Sequence, residues 1–169
     1  MSRADAAARN LVDQFGLTDL PIDPEKVARD LGIMLVRESS DARVYGMLMR
    51  REGEPIIGIN TQHSTEVQRF ALAHLLGHFK LHRGRNLLID TVARCSHGNL
   101  PSMPTDREEA EANRFAAALL APENVVRRMT GEADFDTAAQ LIDLLAPRFE
   151  LSPAAMSYRL MSLGIILDV

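Results

Sequence analysis

Residues 69–82 read R-F-A-L-A-H-L-L-G-H-F-K-L-H, and this stretch is the most informative in the chain. His74 and His78 stand four positions apart, so a helix capped by Ser64 and running to about His82 would carry both imidazoles on one face, one turn apart. The other side chains on that face are apolar: Val67, Phe70, Ala71 and Leu81. Buried polar groups need partners. The pattern therefore predicts either two core histidines bonded to carbonyls or a carboxylate, or two ligands of a shared metal ion.

A second helix is predicted over residues 105–120, where Thr105 and Glu108 have capping-box spacing. Its apolar face consists of Ala112, Phe115, Ala116, Leu119 and Leu120. Glu109 lies at the edge of this face by helical angle, and Glu111 lies further round towards solvent. Acidic residues at a helix start are favoured by the helix dipole, which accounts well for Glu108. A metal site needs a third protein ligand, and Glu109 is a carboxylate partly turned towards the core.

The remaining chain predicts an α+β protein, a small twisted β-sheet packed on a helical bundle, in a single domain over residues 1–169. Helices are predicted at 4–15 and 21–33, the second with Asp23 as its N-cap. Three extended runs follow at 33–38, 44–51 and 55–60, and the last two would form a hairpin. Residues 84–104 are predicted to be a loop, mobile or ordered by a partner. Further helices are predicted at 123–129, 135–146 and 153–163.

Charge and composition exclude several functional classes. The net charge is -4 and the isoelectric point is about 5.7, which argues against direct binding to a nucleic acid backbone. Cys95 is the single cysteine, so no intrachain disulfide forms, and a reducing compartment fits. The N-terminus lacks the apolar core of a signal peptide, and no stretch approaches the roughly 18 apolar residues of a membrane span. We therefore expect a cytoplasmic protein without membrane contact.

The two helical segments together resemble the ImmA/IrrE family of zinc metallopeptidases. That family has R-F-x-x-A-H-E-x-G-H on one helix and E-x-E-A-N-x-F-A-A-x-L-L-x-P on the next, and the resemblance covers about residues 20–165. It implies a zincin-like fold in which Zn²⁺ is held by His74, His78 and a glutamate. Glu109 is the expected third ligand and Glu111 the alternative. Asn113 would then lie behind a ligand and orient it.

The same resemblance implies a function in transcription regulation. Members of the family commonly cleave or antagonise a helix-turn-helix repressor, and thereby switch on genes of mobile elements, stress responses or toxin–antitoxin pairs. Some members carry a helix-turn-helix domain of their own, for which this chain has no room. The expected partner is therefore a separate repressor protein, and the chain itself would not contact nucleic acid.

One position departs from the family pattern. The family's catalytic glutamate directly follows the first histidine, and here that position is Leu75. A general base contributes roughly 10²–10⁴ in rate, so little or no peptidase activity is expected. Glu66 is too far upstream to substitute, whereas His82 is a candidate base or a side chain that extends to solvent. Two hypotheses remain open: a zinc metallopeptidase of doubtful catalytic competence, and a pseudoprotease that binds a regulatory partner.

The extended runs suggest where a peptide would lie. In folds of this type an edge strand beside the zinc pairs with an extended substrate, and the third run or the hairpin edge is expected to be that strand. Met47 and Met49 alternate along the second run, which predicts core positions or, as the alternative, a soft peptide-facing groove.

Overall fold

A computed structural model describes residues 2–51, 53–84, 86–91 and 104–167. The helices are α1 Arg3–Gln14, α2 Pro24–Asp30, α3 Thr65–Leu81, α4 Asp106–Leu120, α5 Glu123–Glu132, α6 Ala138–Phe149 and α7 Pro153–Ser162. The strands are β1 Met34–Glu38, β2 Val44–Met49, β3 Ile56–Asn60 and β4 Leu87–Thr91. The architecture is α+β, as predicted, with a four-stranded mixed sheet packed on helices.

Local sequence signals fix most of the helix starts. Asp23 caps α2 by accepting a hydrogen bond from the Glu25 backbone, and Pro24 occupies the first helical turn. Thr105 and Glu108 form the predicted capping box at the start of α4. Ser64 directly precedes α3, as expected of its N-cap, but the Ser64 side chain makes no capping hydrogen bond.

The sheet has the strand order β1-β3-β2-β4. β2 and β3 form the predicted antiparallel hairpin, β1 runs parallel to β3, and β4 runs antiparallel to β2. The expectation that β3 or the hairpin edge borders the substrate is therefore wrong, because both hairpin strands are internal. Among the described strands, β1 and β4 form the edges.

β4 lies inside the stretch 84–104, which the sequence predicts to be a loop, so that prediction is wrong for residues 87–91. Its side chains alternate, and the buried ones are Leu88 and Asp90. Residue 85 and residues 92–103 of the expected mobile loop, which include Cys95, lie outside the described part of the chain. The missed strand matters because it brings a carboxylate next to α3.

The core lies between the inner face of the sheet and the pair α3 and α4. Leu48, Ile57 and Ile59 of the sheet are buried there. The buried residues that meet them from α3 and α4 are Leu72, Leu75, Leu76, Phe115 and Leu119. Met47 and Met49 are half-buried on the opposite face of β2, so the core interpretation of these methionines is wrong and the groove alternative stays open.

No helix in the described residues is both long enough and apolar enough to cross a membrane.

Candidate metal centre

α3 and α4 pack side by side and bring the three expected ligands together. The Nε2 atoms of His74 and His78 lie 3.0 Å apart. The Glu109 carboxylate places one oxygen 3.3 Å from His74 Nε2 and the other 3.3 Å from His78 Nε2. All three side chains are buried, with exposed fractions of 3%, 0% and 8% for His74, His78 and Glu109.

The donor spacing fits a zinc ion. In a tetrahedral site with bonds of about 2.0–2.1 Å, ligand atoms lie about 3.3 Å from one another. The separations of 3.0–3.3 Å in this cluster are close to that value. Two imidazoles and one carboxylate are also a donor set that zinc takes in catalytic sites. The residues present therefore fit the metal that the sequence implies.

Asn113 fixes the orientation of the first histidine. Its Oδ1 lies 2.8 Å from His74 Nδ1. An amide oxygen accepts only, so the Nδ1–H of the imidazole donates, and a neutral His74 presents the lone pair of Nε2 to the cluster. The structure thus places Asn113 behind the ring, where the sequence expected an orienting residue.

His78 is held from behind by another histidine. His82 Nδ1 lies 3.0 Å from His78 Nδ1, and His82 Nε2 lies 3.2 Å from a Glu111 oxygen. Arg107 binds the other Glu111 oxygen at 3.1 Å, and the hydrogen bonds from His82 and Arg107 lower the pKa of Glu111. His82 is buried, so the expectation of a side chain extending to solvent is wrong. Glu111 thus bonds to His82 and Arg107 and does not belong to the His74–His78 cluster, so the geometry favours Glu109 as the third ligand.

Leu75 lies in the core and not in an open cleft. Its side chain is 0% exposed and packs against β2 at Gly46. A Cβ atom on Gly46 would lie 3.0 Å from Leu75 Cδ1 and 2.6 Å from the Gly58 carbonyl oxygen, so the strand approaches the helix closely because residue 46 has no side chain. Position 75, where the family has its glutamate, is therefore kept from solvent by apolar packing.

A cleft of about 450 Å³ opens beside the cluster. His74, Asn113 and Asp90 contribute to its wall, together with Tyr45, Glu66, Val67, Phe70, Ala71, Thr91, Ser152, Ala155 and Tyr158. β2 carries an irregularity between Val44 and Gly46, where one extra residue, Tyr45, is inserted opposite β4. Bulges of this kind redirect side chains next to functional sites, and Tyr45 is turned into the cleft.

Asp90 is the residue that the sequence analysis missed. Its Oδ2 lies 4.0 Å from His74 Nε2, the nitrogen that faces the cluster, and the side chain is 7% exposed. The sequence offered little signal, since L-L-I-D-T at 87–91 begins with three apolar residues in a row, and the alternation that places Leu88 and Asp90 on one buried face is visible only in the structure. A nearby glycine and the prolines further on made this segment look like a loop.

Comparison with known families agrees with the resemblance seen in the sequence. A peptidase family model described as the IrrE N-terminal-like domain matches residues 28–161. The match includes both helices that carry the candidate ligands and the four described strands. No curated protein matches the chain.

Proposed function

The chain belongs to the IrrE N-terminal-like metallopeptidase family, and on that premise we propose that it binds one Zn²⁺ and acts on a helix-turn-helix transcriptional repressor. The observation that carries the zinc assignment is the convergence of His74, His78 and Glu109 at 3.0–3.3 Å inside the protein. A zinc ion held there would polarise the scissile carbonyl of a bound peptide.

The chain's own residues support a peptide-binding role for the cleft. β4 is a sheet edge among the described strands, and its residue Thr91 contributes to the cleft wall. An extended peptide that added to this edge would receive main-chain hydrogen bonds and run past His74. Tyr45, Phe70 and Tyr158 offer apolar surface for its side chains.

Two arguments support a repressor as the partner. Repressors of this kind are the usual substrates in the family that the chain resembles. DNA-binding proteins carry basic surfaces, and a chain with a net charge of -4 complements such a surface. Cleavage or capture of the repressor would then switch on the genes it controls, such as those of a toxin–antitoxin pair.

The alternative function is that of a pseudoprotease, which would bind the repressor without cutting it. Leu75 is the observation that favours it, because a buried leucine stands where the family has its general base. Leucine can neither hold a water molecule nor carry a proton.

Metal content tests the zinc assignment. Protein purified without added metal is expected to contain one zinc per chain, and His78→Gln should lose it. His63→Gln is the matched control, because His63 bonds the Val44 carbonyl oxygen and lies outside the metal-fitting group. Zinc-free wild-type protein that does not take up zinc from solution would refute the assignment.

Incubation with helix-turn-helix repressors encoded near the gene tests the partner and separates the two functions. A peptidase yields repressor fragments by mass spectrometry, and production of the fragments stops when zinc is chelated. A binding module yields a stable complex and intact repressor. If the incubation yields no repressor fragments and no complex, the repressor proposal is refuted.

A further inference from the structure

Asp90 and Leu75 are neighbours across the interface between sheet and helix. Leu75 packs on Gly46 of β2, and Gly46 is the direct cross-strand partner of Asp90 on β4. Paired residues on adjacent strands have Cβ positions about 4.5–5.5 Å apart. Asp90 therefore approaches the metal-facing side of His74 from the strand next to the place where the family's glutamate would stand on the helix.

The distances separate Asp90 from the metal-binding set. His74, His78 and Glu109 offer ligand atoms that all lie within 4.8 Å of one another, and Asp90 does not belong to that group. It nevertheless lies 4.0 Å from His74 Nε2, on the side of the ring opposite the Nδ1 that bonds Asn113. A carboxylate outside the ligand set but beside one ligand atom is placed to hold a water molecule next to the ion that His74, His78 and Glu109 would bind.

We propose that Asp90 supplies the catalytic carboxylate that position 75 lacks. The inference rests on the proposed peptidase function. In the reaction, the water oxygen forms a bond to the peptide carbonyl carbon, and one water proton passes to Asp90. The carbon–nitrogen bond then breaks, and the proton moves from Asp90 to the departing amine. The products are a carboxylic acid and an amine, so atoms and electrons balance without any further reactant.

This assignment changes the significance of Leu75. The helix no longer needs a carboxylate, and Leu75 is free to fill the core beneath the sheet. The acid is presented instead from a sheet edge, beside the position at which an extended peptide would add to β4. Sequence inspection confined to the helix motif would therefore class an active enzyme as inactive.

The test compares Asp90→Asn, which keeps the shape and removes the charge, with Asp30→Asn, the same change at an α2 carboxylate that pairs with Lys26 and does not line the cleft. Zinc affinity is measured by chelator competition. Acetohydroxamate serves as a probe, because a hydroxamate at an open zinc position also hydrogen-bonds to the catalytic carboxylate. Fluorescein-labelled casein serves as an unfolded substrate.

In Asp90→Asn we expect a zinc Kd within about threefold of wild type, which also shows that the variant is folded. Acetohydroxamate affinity should fall roughly tenfold to hundredfold, the value of a hydrogen bond to a charged group. Casein cleavage should fall by roughly 10²–10⁴. Asp30→Asn should change none of the three by more than about threefold. Asp90→Glu, which keeps the charge, should retain more acetohydroxamate affinity than Asp90→Asn.

Two results would overturn the inference. A tenfold or larger loss of zinc affinity in Asp90→Asn would make Asp90 a fourth ligand of a closed, structural site. If Asp90→Asn binds acetohydroxamate as tightly as wild type, or cleaves casein at the wild-type rate, Asp90 takes no part in the reaction, while the peptidase function stands. Failure of the proposed function has a different signature, namely a wild-type protein that takes up no zinc.

Discussion

Gly77 sets the distance between the two helices that carry the candidate ligands. A Cβ atom at this position would lie 3.0 Å from the Phe115 ring and 3.2 Å from both Cα and O of Ala112. Two of these contacts are to backbone, so α4 would have to shift by a few tenths of an ångström. Overpacking of this kind costs about 1–3 kcal/mol, against a gain of about 1 kcal/mol from replacing glycine in a helix.

Gly77→Ala is therefore expected to lower the free energy of unfolding of the metal-free protein by about 1 kcal/mol. It should also weaken zinc binding roughly tenfold, because the shift moves Glu109 of α4 away from His74 and His78 of α3. Urea unfolding with a chelator present measures the first effect, and chelator competition measures the second.

Gly131→Ala is the matched control, since a Cβ at Gly131 in α5 meets nothing within 4 Å. It should leave zinc affinity unchanged and leave stability equal or raised by up to about 1 kcal/mol. If Gly77→Ala behaves like this control, with a stabilised protein and wild-type zinc affinity, the reasoning from helix contact is refuted.

Four other measurements follow from the structure. With free zinc at 100 times its Kd, removal of the zinc by a chelator should lower the melting temperature of the protein by about 5–10 °C. An unchanged melting temperature would mean that no metal stabilises the fold. Asn113→Ala should weaken zinc binding roughly tenfold to hundredfold by chelator competition, because His74 loses the acceptor that orients it. Leu75→Glu should lower the free energy of unfolding by at least about 3 kcal/mol, whereas Leu75→Met should cost less than about 1.5 kcal/mol; equal urea midpoints would contradict the core position of Leu75. Asp5→Asn should destabilise the protein by about 3–5 kcal/mol at pH 7, because it leaves buried Arg159 without its carboxylate. Burial disfavours the charged form of Asp5, but hydrogen bonds from Ser2 and Arg114 outweigh burial and lower the pKa of Asp5. The difference in unfolding free energy between wild type and Asp5→Asn should therefore be full above the unfolded pKa near 3.8 and shrink as the pH falls below that value. An unfolding free-energy difference that is unchanged at pH 3 would contradict this.

The helices were predictable because their signals are local. Asp23 with Pro24, and Thr105 with Glu108, each satisfy backbone donors within a few residues of themselves, so a short sequence window holds all the information. The hairpin of β2 and β3 is local in the same sense. β4 was missed because five residues after a glycine and an asparagine carry little periodic signal, and their partner strand lies about 40 residues earlier in the chain.

The sequence alone determined the face of α3 that carries two candidate ligands, because the spacing of His74 and His78 becomes a spatial relation as soon as the helix forms. It also determined Glu109 as a candidate, and the family. Only the tertiary structure decided which distant groups meet that face. Asp90 approaches it from β4, and a carboxylate on a strand reaches a histidine on a helix only when sheet and helix pack. Periodicity describes one element at a time, whereas the surroundings of a buried candidate metal site are set by long-range packing that no single segment encodes.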